Sequence, residues 1–473
     1  MIPLSIDEIA QITGAAVDRV ADPAALVTGP VLIDSRQVVP GALFAALPGE
    51  HADGHDFAGG ATAAGAVVTL GTRPTGSPSL IVGDVPVALG RLARAVVDRL
   101  PGLTIAGITG SAGKTTTKDL AAQLIGALGP TVAPQNSFNN EIGHPLTVLR
   151  ADAGTRYLIA ELSARGPGHI AALCQIAPPR FGVVLCIGNA HAGEFGSMAQ
   201  VAAAKSELPR ALPADGVAVL NADDRLVAAM AADTAARVIT FGRSAGADVR
   251  ASSVTLDTLG RPAFTLEMPD GAAVVALRLN GEHNITNALA AAALAGQLGM
   301  DVGAIAAGLS AAEARSKWRM EVTERPDKVI VVNDAYNASP EAVAAALEAV
   351  RVIAAGRRAY AVLGRMAELG ERSREFHEQA GMVAARSGVA GLIAVGDEAA
   401  PMLTGAKAVA GYTGELIAVP DGAAALTVLA DRLQPGDVVL VKASRAAGLQ
   451  TIALAVAAGG SPTRTDTAGE VAP

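Results

Sequence analysis

The stretch IAGITGSAGKTTTKDL, residues 105–120, decides the fold of the central part of this chain. An apolar run of strand type ends in a glycine-broken turn, and Lys-Thr-Thr then opens a segment of helix-forming composition. A strand, a glycine-rich turn and a helix N-terminus form the context in which backbone N–H groups bind phosphate. Ile108 stands where the common G-x-x-x-x-G-K-[ST] pattern has its first glycine. The context nevertheless predicts a phosphate loop with altered glycine spacing.

The side chains of this loop have separate expected roles. Lys114 is expected to bind the terminal phosphates of a nucleotide, and the Thr115 hydroxyl is expected to bind Mg²⁺. The nucleotide is expected to be ATP, because LNADD at 220–224 lacks the Asn-Lys-x-Asp pattern of guanine recognition. The alternative is an ordinary strand–turn–helix connection with a surface lysine. The whole predicted nucleotide loop comprises Gly110, Ser111, Ala112, Gly113, Lys114, Thr115 and Thr116.

Length and charge limit the class of protein. A chain of 473 residues predicts about three domains of roughly 150 residues each. A net charge of −8 argues against a nucleic-acid partner, because phosphate backbones attract clustered Lys and Arg. No apolar run reaches the roughly 20 residues of a membrane-spanning helix, and the N-terminus lacks a signal-peptide pattern. We therefore expect a cytoplasmic protein without a membrane span. A monomer is expected as well, although the sequence does not determine the oligomeric state.

Apolar strand-type runs alternate with alanine-rich helical segments, which is typical of α/β domains with mainly parallel sheets. The expected fold class is α/β with three domains: a small N-terminal α/β domain, a central P-loop ATPase-like domain with a parallel sheet, and a C-terminal Rossmann-like α/β domain. Boundaries are placed at DRLPGL, which interrupts a helix, and at EARSKWRMEV, where a new strand series begins. The predicted ranges are 1–100, 101–316 and 317–460, with a disordered polar tail at 461–473.

Three polar residues after the loop are candidates for the chemistry. Glu161 ends the apolar run in TRYLIAELS, where a phosphate loop needs a carboxylate facing the metal. His191 follows a hydrophobic strand and lies in a glycine-rich segment, at the strand end where parallel sheets bind ligands. Lys205 lies in VAAAKSEL on an alanine-rich helix. Taken singly, these residues also fit a solvated strand-end acid, a structural histidine and a surface lysine.

Several segments occur in the order seen in the Mur ligases, the ATP-dependent amide-bond ligases of peptidoglycan precursor synthesis. The resemblance runs from about residue 30 to about residue 450 and includes the glycine spacing of the loop. Within the family, NDAYNASPEAV, AVLGRMAELGERS and VLVKASRAAGL resemble the member that joins D-alanyl-D-alanine to UDP-N-acetylmuramoyl-tripeptide. Arg365 and Ala443 depart from residues that are common in that member. The segments are GITGSAGKTTTK, NSFNNEIGHPLTVL, ELSARGPGHI, GNAHAGEFGS, AAAKSEL and GEHNITNALAAA.

The resemblance implies an ATP-dependent ligase that forms an acyl phosphate and uses two Mg²⁺ ions. Thr115 and Glu161 would bind the first ion, and His191 with a carbamylated Lys205 would bind the second. A carbamate turns a cation that repels magnesium into an oxygen ligand. Lys114, Glu161, His191 and Lys205 are the expected catalytic residues.

The resemblance also implies where each substrate binds. Asn284 and Asn287 are expected near the adenine, Arg319 at the phosphates after domain closure, and Asp334 at the ribose hydroxyls. Capping for the two asparagines and simple solvation for the arginine are the alternatives. The N-terminal domain is expected to bind the uridine nucleotide. Expected substrate contacts are Ser35 and Arg36 for the diphosphate, Asn136, Asn139 and Asn140 for the muramoyl peptide, and Lys442, Ser444 and Arg445 for the dipeptide carboxylate.

Other functions remain open from the sequence. Folylpolyglutamate synthase shares the loop and the lysine, but the roughly 100-residue N-terminal region containing DSRQVVPGALF argues against it. Another Mur-type ligase is a second alternative, although the DNPR motif of the diaminopimelate-adding relative is absent. In a non-catalytic ATP-binding switch, Glu161, His191 and Lys205 would have no task. The third residue of the tripeptide, diaminopimelate or lysine, is left open.

Overall fold

The structure is a computed structural model that describes residues 1–49, 52–135, 137–188 and 195–459. Within these ranges the strands form separate β-sheets that follow one another along the chain, and helices pack against the sheets. The predicted α/β fold class with three domains is confirmed. The strands of each sheet system fall inside one predicted domain range, while the boundary residues themselves stay predictions. The predicted tail 461–473 lies outside the described residues.

The N-terminal part is a small α/β unit whose core continues into the central domain. Strands β1 and β3 pair antiparallel, and the larger sheet has the order β2-β7-β6-β5-β4. Apolar side chains of the central domain, including Leu146 and Leu158, belong to the same core as helix Val85–Asp98. Its strands are β1 (Leu4–Ser5), β2 (Ala16–Asp18), β3 (Leu26–Val27), β4 (Val31–Leu32), β5 (Leu43–Ala45), β6 (Val68–Gly71) and β7 (Ser79–Ile81), and its helices are Ile6–Thr13, Ala58–Ala63 and Val85–Asp98.

The central part holds a mixed sheet in the order β16-β15-β14-β13-β12-β11-β8-β10-β9, in which β15 is antiparallel to both β14 and β16 and the other neighbours are parallel. Strands β8, β10 and β11 are apolar and buried on both faces, as parallel strands between helix layers require. The strands are β8 (Thr104–Thr109), β9 (Thr131–Val132), β10 (Tyr157–Glu161), β11 (Phe181–Val184), β12 (Val217–Asn221), β13 (Arg237–Gly242), β14 (Val249–Leu256), β15 (Pro262–Met268) and β16 (Gly271–Ala276). The helices are Lys114–Gly126, Gly143–Val148, His169–Ile176, Met198–Lys205, Glu207–Arg210, Arg225–Ala228, Asn284–Gln297 and Val302–Ala311.

The C-terminal part holds a sheet in the order β17-β18-β22-β19-β20-β21, with β17 antiparallel to its neighbour. Ser339 caps its first helix by accepting a hydrogen bond from the Ala342 amide at 3.3 Å, with Pro340 at the helix start. Strands are β17 (Glu321–Glu324), β18 (Ile330–Asn333), β19 (Ala359–Leu363), β20 (Gly391–Val395), β21 (Glu415–Val419) and β22 (Val438–Lys442). Helices are Pro340–Ala354, Ser373–Arg386, Pro401–Lys407, Gly422–Arg432 and Gln450–Ala457.

This topology collects polar residues at the carboxyl ends of parallel strands. The loop 110–113 follows β8, Glu161 ends β10, and Asp334 follows β18. Ligands bind at such strand ends in α/β sheets. In the part of the chain that the structure describes, no helix is both long and apolar enough to cross a membrane.

Two glycines allow helices Ser373–Arg386 and Pro401–Lys407 to touch through their backbones. A Cβ at Gly381 would collide with the Met402 carbonyl oxygen, and one at Gly405 would collide with the Glu378 carbonyl oxygen. The helix pair therefore has no room for a side chain at either glycine position.

Gly405→Ala is expected to destabilise the C-terminal domain by at least about 2 kcal/mol, because overpacking a close contact forces the backbone to move. Gly126→Ala is the control, since a Cβ at that helix position meets no atom within 4 Å. Chemical denaturation followed by circular dichroism measures both variants. Equal unfolding midpoints for the two variants would show that the helix contact is not tight.

Candidate active site

A cavity of about 950 Å³ lies between the central and C-terminal domains. Its walls come from the phosphate loop, the segment after β9, the start of helix Asn284–Gln297, and the loops after β18 and β22. The topology therefore brings together residues that are far apart in the sequence. The predicted site residues that line it are Ser111, Ala112, Gly113, Lys114, Thr115, Thr116, Asn139, Asn140, Glu161, Asn284, Asn287, Arg319, Asp334, Lys442, Ser444 and Arg445.

The phosphate loop has the predicted strand–turn–helix geometry. Gly113 has a φ of 82°, which favours glycine, and a Cβ there would collide with the Asn287 side chain. The helix begins at Lys114, so its first N–H groups lie at the cavity. Lys114 Nζ donates to the Gly110 carbonyl at 2.7 Å. Burial lowers the pKa of Lys114, and the nearby Glu161 carboxylate opposes that shift.

Thr115 and Glu161 lie side by side, as a shared magnesium ion requires. Thr115 Oγ1 donates to Glu161 Oε1 at 3.2 Å, and Asn139 Nδ2 donates to the same oxygen at 2.7 Å. Glu161 is 1% exposed, and its Oε2 has no hydrogen-bond partner among the described residues. A buried carboxylate oxygen without a partner beside a hydroxyl suits Mg²⁺, which prefers oxygen ligands. These residues fit one magnesium ion.

The second predicted metal site is only partly within the described residues. His191 lies outside them. Lys205 is the last residue of helix Met198–Lys205 and is 2% exposed. Burial, with a contribution from the positive charge of Lys114, lowers the pKa of Lys205 to about 7. The shift favours the neutral amine, which is the form that reacts with CO₂, and the second site stays a prediction.

The two asparagines of GEHNITN form a chain of amide hydrogen bonds that ends at the phosphate-loop helix. Asn284 Nδ2 donates to the Asn280 carbonyl at 2.8 Å, and Asn287 Nδ2 donates to Asn284 Oδ1 at 2.9 Å. Thr117 Oγ1 donates to Asn287 Oδ1 at 3.3 Å. Both asparagines lie in the first turn of helix Asn284–Gln297, and their contact with adenine stays a prediction.

Arg319 reaches from the C-terminal domain to the phosphate loop. Its Nη2 donates to Thr115 Oγ1 and to Ser137 Oγ, each at 2.9 Å. Its guanidinium lies 4.2 Å from the centroid of the Tyr336 ring. The arginine therefore connects two domains at the position where a nucleotide phosphate is expected.

Lys442 and Asp334 are partners rather than two separate binding groups. Lys442 Nζ donates to Asp334 Oδ2 at 2.5 Å and to the Asn337 carbonyl at 2.8 Å. The other Asp334 oxygen accepts from the Met320 amide at 3.0 Å. A ribose bound at Asp334 or a dipeptide carboxylate bound at Lys442 would have to replace one of these hydrogen bonds. Both roles stay predictions.

The other predicted contacts of the C-terminal loop have local partners too. Ser444 Oγ accepts from the Ala367 amide at 2.8 Å. Arg445 lies over two aromatic rings, with its guanidinium 5.5 Å from the Trp318 centroid and 5.4 Å from the Tyr336 centroid. Both residues line the cavity, and their contact with the dipeptide stays a prediction.

Ser35 and Arg36 are not among the residues that line the cavity. They form the short 3₁₀ turn Ser35–Gln37 after β4, where Arg36 pairs with Asp34 at 2.9 Å. Their uridine-nucleotide role stays a prediction for a separate N-terminal surface. Asn140 Oδ1 accepts from the Gly143 amide at 2.8 Å, which is turn chemistry, and Asn136 lies outside the described residues.

The cavity also contains residues that the sequence did not single out. Ser137 bonds to Thr115 and Arg319, and Cys186 Sγ accepts from the Ala112 amide at 3.4 Å. Glu368 lines the cavity with a φ of 63°, a left-handed conformation that is rare outside glycine. Ser137 and Glu368 lie inside stretches quoted above, so the resemblance carried a signal for them. For Cys186 the sequence carried no signal of a place in the cavity, apart from its position after a strand.

Family models match three segments of the chain. A model described as the Mur ligase middle domain matches residues 108–295, and the Mur ligase glutamate ligase domain matches residues 318–445. A model described as the Mur ligase family catalytic domain matches residues 30–96. The matches therefore cover parts of all three predicted domains.

Individual relatives extend these matches to the whole length. The UDP-N-acetylmuramoyl-tripeptide–D-alanyl-D-alanine ligase of Mycobacterium tuberculosis is 48% identical over 100% of both chains. A crystal structure of MurF from Acinetobacter baumannii has a TM-score of 0.85 at 30% identity, covering 96% of this chain and 99% of that one. MurF from Thermotoga maritima, solved with ADP, has a TM-score of 0.77 at 30% identity, covering 91% and 98%. With such similarity along its full length, the chain belongs to the Mur ligase family.

Proposed function

We propose that this protein is an ATP-dependent ligase that joins D-alanyl-D-alanine to UDP-N-acetylmuramoyl-tripeptide in peptidoglycan synthesis. The relatives that are similar over the whole length carry this activity in their names. The observation that carries the proposal is the convergence of Lys114, Glu161 and Arg319 at one cavity, with a buried carboxylate oxygen that has no partner among the described residues. The two alternatives, folylpolyglutamate synthase and a non-catalytic ATP-binding switch, do not match the activity that these relatives share in their names.

The proposed chemistry activates a carboxylate in water. The substrate carboxylate takes the γ-phosphoryl group of ATP, and the amine of the dipeptide then displaces phosphate from the acyl phosphate. The first step brings two anions together, so cations must neutralise their repulsion. Lys114 and Arg319, whose side chains contact the loop, would supply this positive charge. Mg²⁺ held by Thr115 and Glu161 would supply further neutralisation at the phosphates.

A carbamylated Lys205 is the proposed anionic group for a second Mg²⁺. The side chain is buried, which keeps a carbamate away from bulk water. Its pKa of about 7 leaves the amine partly neutral, which carbamate formation requires. A plain ammonium at this position would instead repel both Lys114 and a metal ion.

The three substrates are proposed to bind on three domains, with boundaries 1–100, 101–316 and 317–460. The N-terminal domain would hold the uridine nucleotide, the central domain ATP, and the C-terminal loops the dipeptide. Arg319 already joins the last two domains at the phosphate loop. We expect the domains to close over the bound substrates, because such closure excludes water from an acyl phosphate. A monomeric state and a cytoplasmic location stay predictions.

ADP release is expected only when ATP, UDP-N-acetylmuramoyl-tripeptide and D-alanyl-D-alanine are all present. A coupled ADP assay with each component omitted in turn measures this, and mass spectrometry identifies the nucleotide-linked pentapeptide. Parallel assays with diaminopimelate- and lysine-containing tripeptides identify the preferred acceptor. Turnover with folate and glutamate, or ADP release that ignores both peptide substrates, would refute the proposed function.

Lys114→Ala is expected to lower kcat by roughly a hundredfold or more, because charge at the transferred phosphoryl group would be uncompensated. Lys407→Ala, at an exposed helix end away from the cavity, is the matched control and should retain wild-type turnover. Steady-state kinetics of both variants, with their unfolding midpoints, separates catalysis from stability. A near-normal kcat in Lys114→Ala would refute the assignment of this segment as the phosphate loop.

Lys205→Arg and Lys205→Ala are expected to be equally damaging, by at least about tenfold in kcat, since neither can carry a carbamate. Wild-type activity should fall when CO₂ is removed and return with bicarbonate, and ¹³C NMR with labelled bicarbonate should show a carbamate signal. Lys407→Arg is the control for the substitution. Full activity in Lys205→Arg would mean that this lysine is a structural group only.

A further inference from the structure

Two arginine side chains share one aromatic ring at the wall of the cavity. The guanidinium carbon of Arg319 lies 4.2 Å from the centroid of the Tyr336 ring, and that of Arg445 lies 5.4 Å from the same centroid. Arg445 also lies 5.5 Å from the centroid of the Trp318 ring. The two arginines and Tyr336 line the cavity. These four residues form a cation–aromatic cluster within the C-terminal domain.

The backbone around Arg319 is strained and held in place. Trp318 and Met320, which flank it, have φ angles of 60° and 50°, in the left-handed region that is uncommon outside glycine. The Trp318 carbonyl accepts from the Tyr336 amide at 3.2 Å, and the Met320 amide donates to Asp334 Oδ1 at 3.0 Å. Such conformations persist only where the surrounding structure determines them. The loop after β18 therefore fixes the backbone of Arg319 relative to the Tyr336 ring.

The two arginines belong to different parts of the proposed site. Arg319 Nη2 donates to Thr115 Oγ1 at 2.9 Å, at the phosphate loop. Arg445 follows Ser444 in the loop after β22, for which we propose dipeptide binding. The Tyr336 ring therefore lies against one arginine from each part.

A ring in this position acts on both positive charges. Two guanidinium groups that lie over the same ring repel each other, because like charges held close together are unfavourable. The negative π-face of an aromatic ring attracts a cation within about 6 Å of its centroid. Both arginines lie within this distance of the Tyr336 centroid. The ring therefore offsets the repulsion and holds the two side chains in one arrangement.

We propose that Tyr336 is a positioning residue that aligns Arg319 with the transferred phosphoryl group and Arg445 with the carboxylate of the incoming dipeptide. This inference rests on the proposed function and adds to it a residue that acts through two others. A cation that is already aligned needs no rearrangement when charge develops at the phosphoryl group, so the alignment of Arg319 affects kcat. The alignment of Arg445 affects binding of the dipeptide, and therefore its KM.

The first test is steady-state kinetics of the full chain at saturating ATP and UDP-N-acetylmuramoyl-tripeptide, with D-alanyl-D-alanine varied. Tyr336→Leu is expected to raise the dipeptide KM and to lower kcat, each by roughly three- to thirtyfold, which corresponds to the strength of a cation–π contact. Tyr336→Phe keeps the ring and should stay within about twofold of wild type in both constants. Wild-type constants in Tyr336→Leu would overturn the positioning role.

Arg372→Gln is the control for the loss of an arginine from an aromatic ring. Its guanidinium carbon lies 4.6 Å from the Phe376 centroid, and Arg372 is not among the residues that line the cavity. We expect both kinetic constants of this variant to equal those of the wild-type protein. A change as large as that in Tyr336→Leu would mean that any such contact affects turnover through stability, and would overturn the inference.

Double-mutant cycles identify the groups through which the ring acts. In an Arg445→Gln background, Tyr336→Leu should no longer raise the dipeptide KM. In an Arg319→Gln background, the same substitution should no longer lower kcat. Additive effects in either cycle would overturn the alignment of the arginine concerned.

A third test changes the charge distribution of the ring and keeps its shape. Pentafluorophenylalanine, incorporated in place of Tyr336, has a ring of phenylalanine shape whose π-face is positive. We expect this protein to lose activity as Tyr336→Leu does, because the ring would repel both guanidinium groups. Activity equal to that of Tyr336→Phe would mean that the ring acts by packing alone, and would overturn the electrostatic alignment.

The outcomes also separate this inference from the proposed function. If the wild-type protein forms no ADP with all three substrates, the proposed function is wrong and both proposals fail. If the wild-type protein turns over and Tyr336→Leu does so equally well, only the present inference fails. Unfolding midpoints show whether a loss reflects misfolding. Where the leucine variant is unstable, the comparison of phenylalanine with its fluorinated form still decides the question.

Discussion

The close contact between the backbone of Gly113 and the side chain of Asn287 fixes the position of the phosphate loop. It lets the phosphate-loop helix start directly against helix Asn284–Gln297, which is almost wholly buried and rich in alanine. Small side chains allow the two helices and the sheet to pack closely without aromatic bulk. Lys114 and Thr115 follow immediately, so their positions depend on this contact. The asparagine chain from Asn280 transfers the same restraint to the loop after β16.

The phosphate-loop helix also holds the linker to the C-terminal domain. Asp119 accepts from Ser316 Oγ at 2.6 Å and pairs with Lys118 at 2.5 Å. Gln123 exchanges two hydrogen bonds with the backbone of Glu313, at 3.0 and 3.1 Å. A single helix therefore carries the nucleotide loop at its start and the domain linker along its side. Displacement of the loop and displacement of the linker are mechanically connected through it.

Sequence patterns predicted those parts of the site that are formed within one short, continuous segment of the chain. The loop after β8 and Glu161 at the end of β10 each follow from a short segment with its own periodicity. Side-chain partners between remote segments were not predictable, because packing alone decides them. The Lys442–Asp334 pair joins positions 108 residues apart, and the Arg319–Thr115 contact joins positions 204 apart. The family resemblance named several of these residues without revealing which of them meet.

Cys186 shows how the fold protects a reactive group that it places at the nucleotide loop. Burial raises the pKa of this thiol above its ordinary value, outweighing the nearby Lys114 and Lys205 cations. The thiolate is the form that reacts with peroxides and alkylating agents. A protonated thiol reacts more slowly with either, so burial lowers the reactivity of the sulfur atom that forms part of the wall of the phosphate loop.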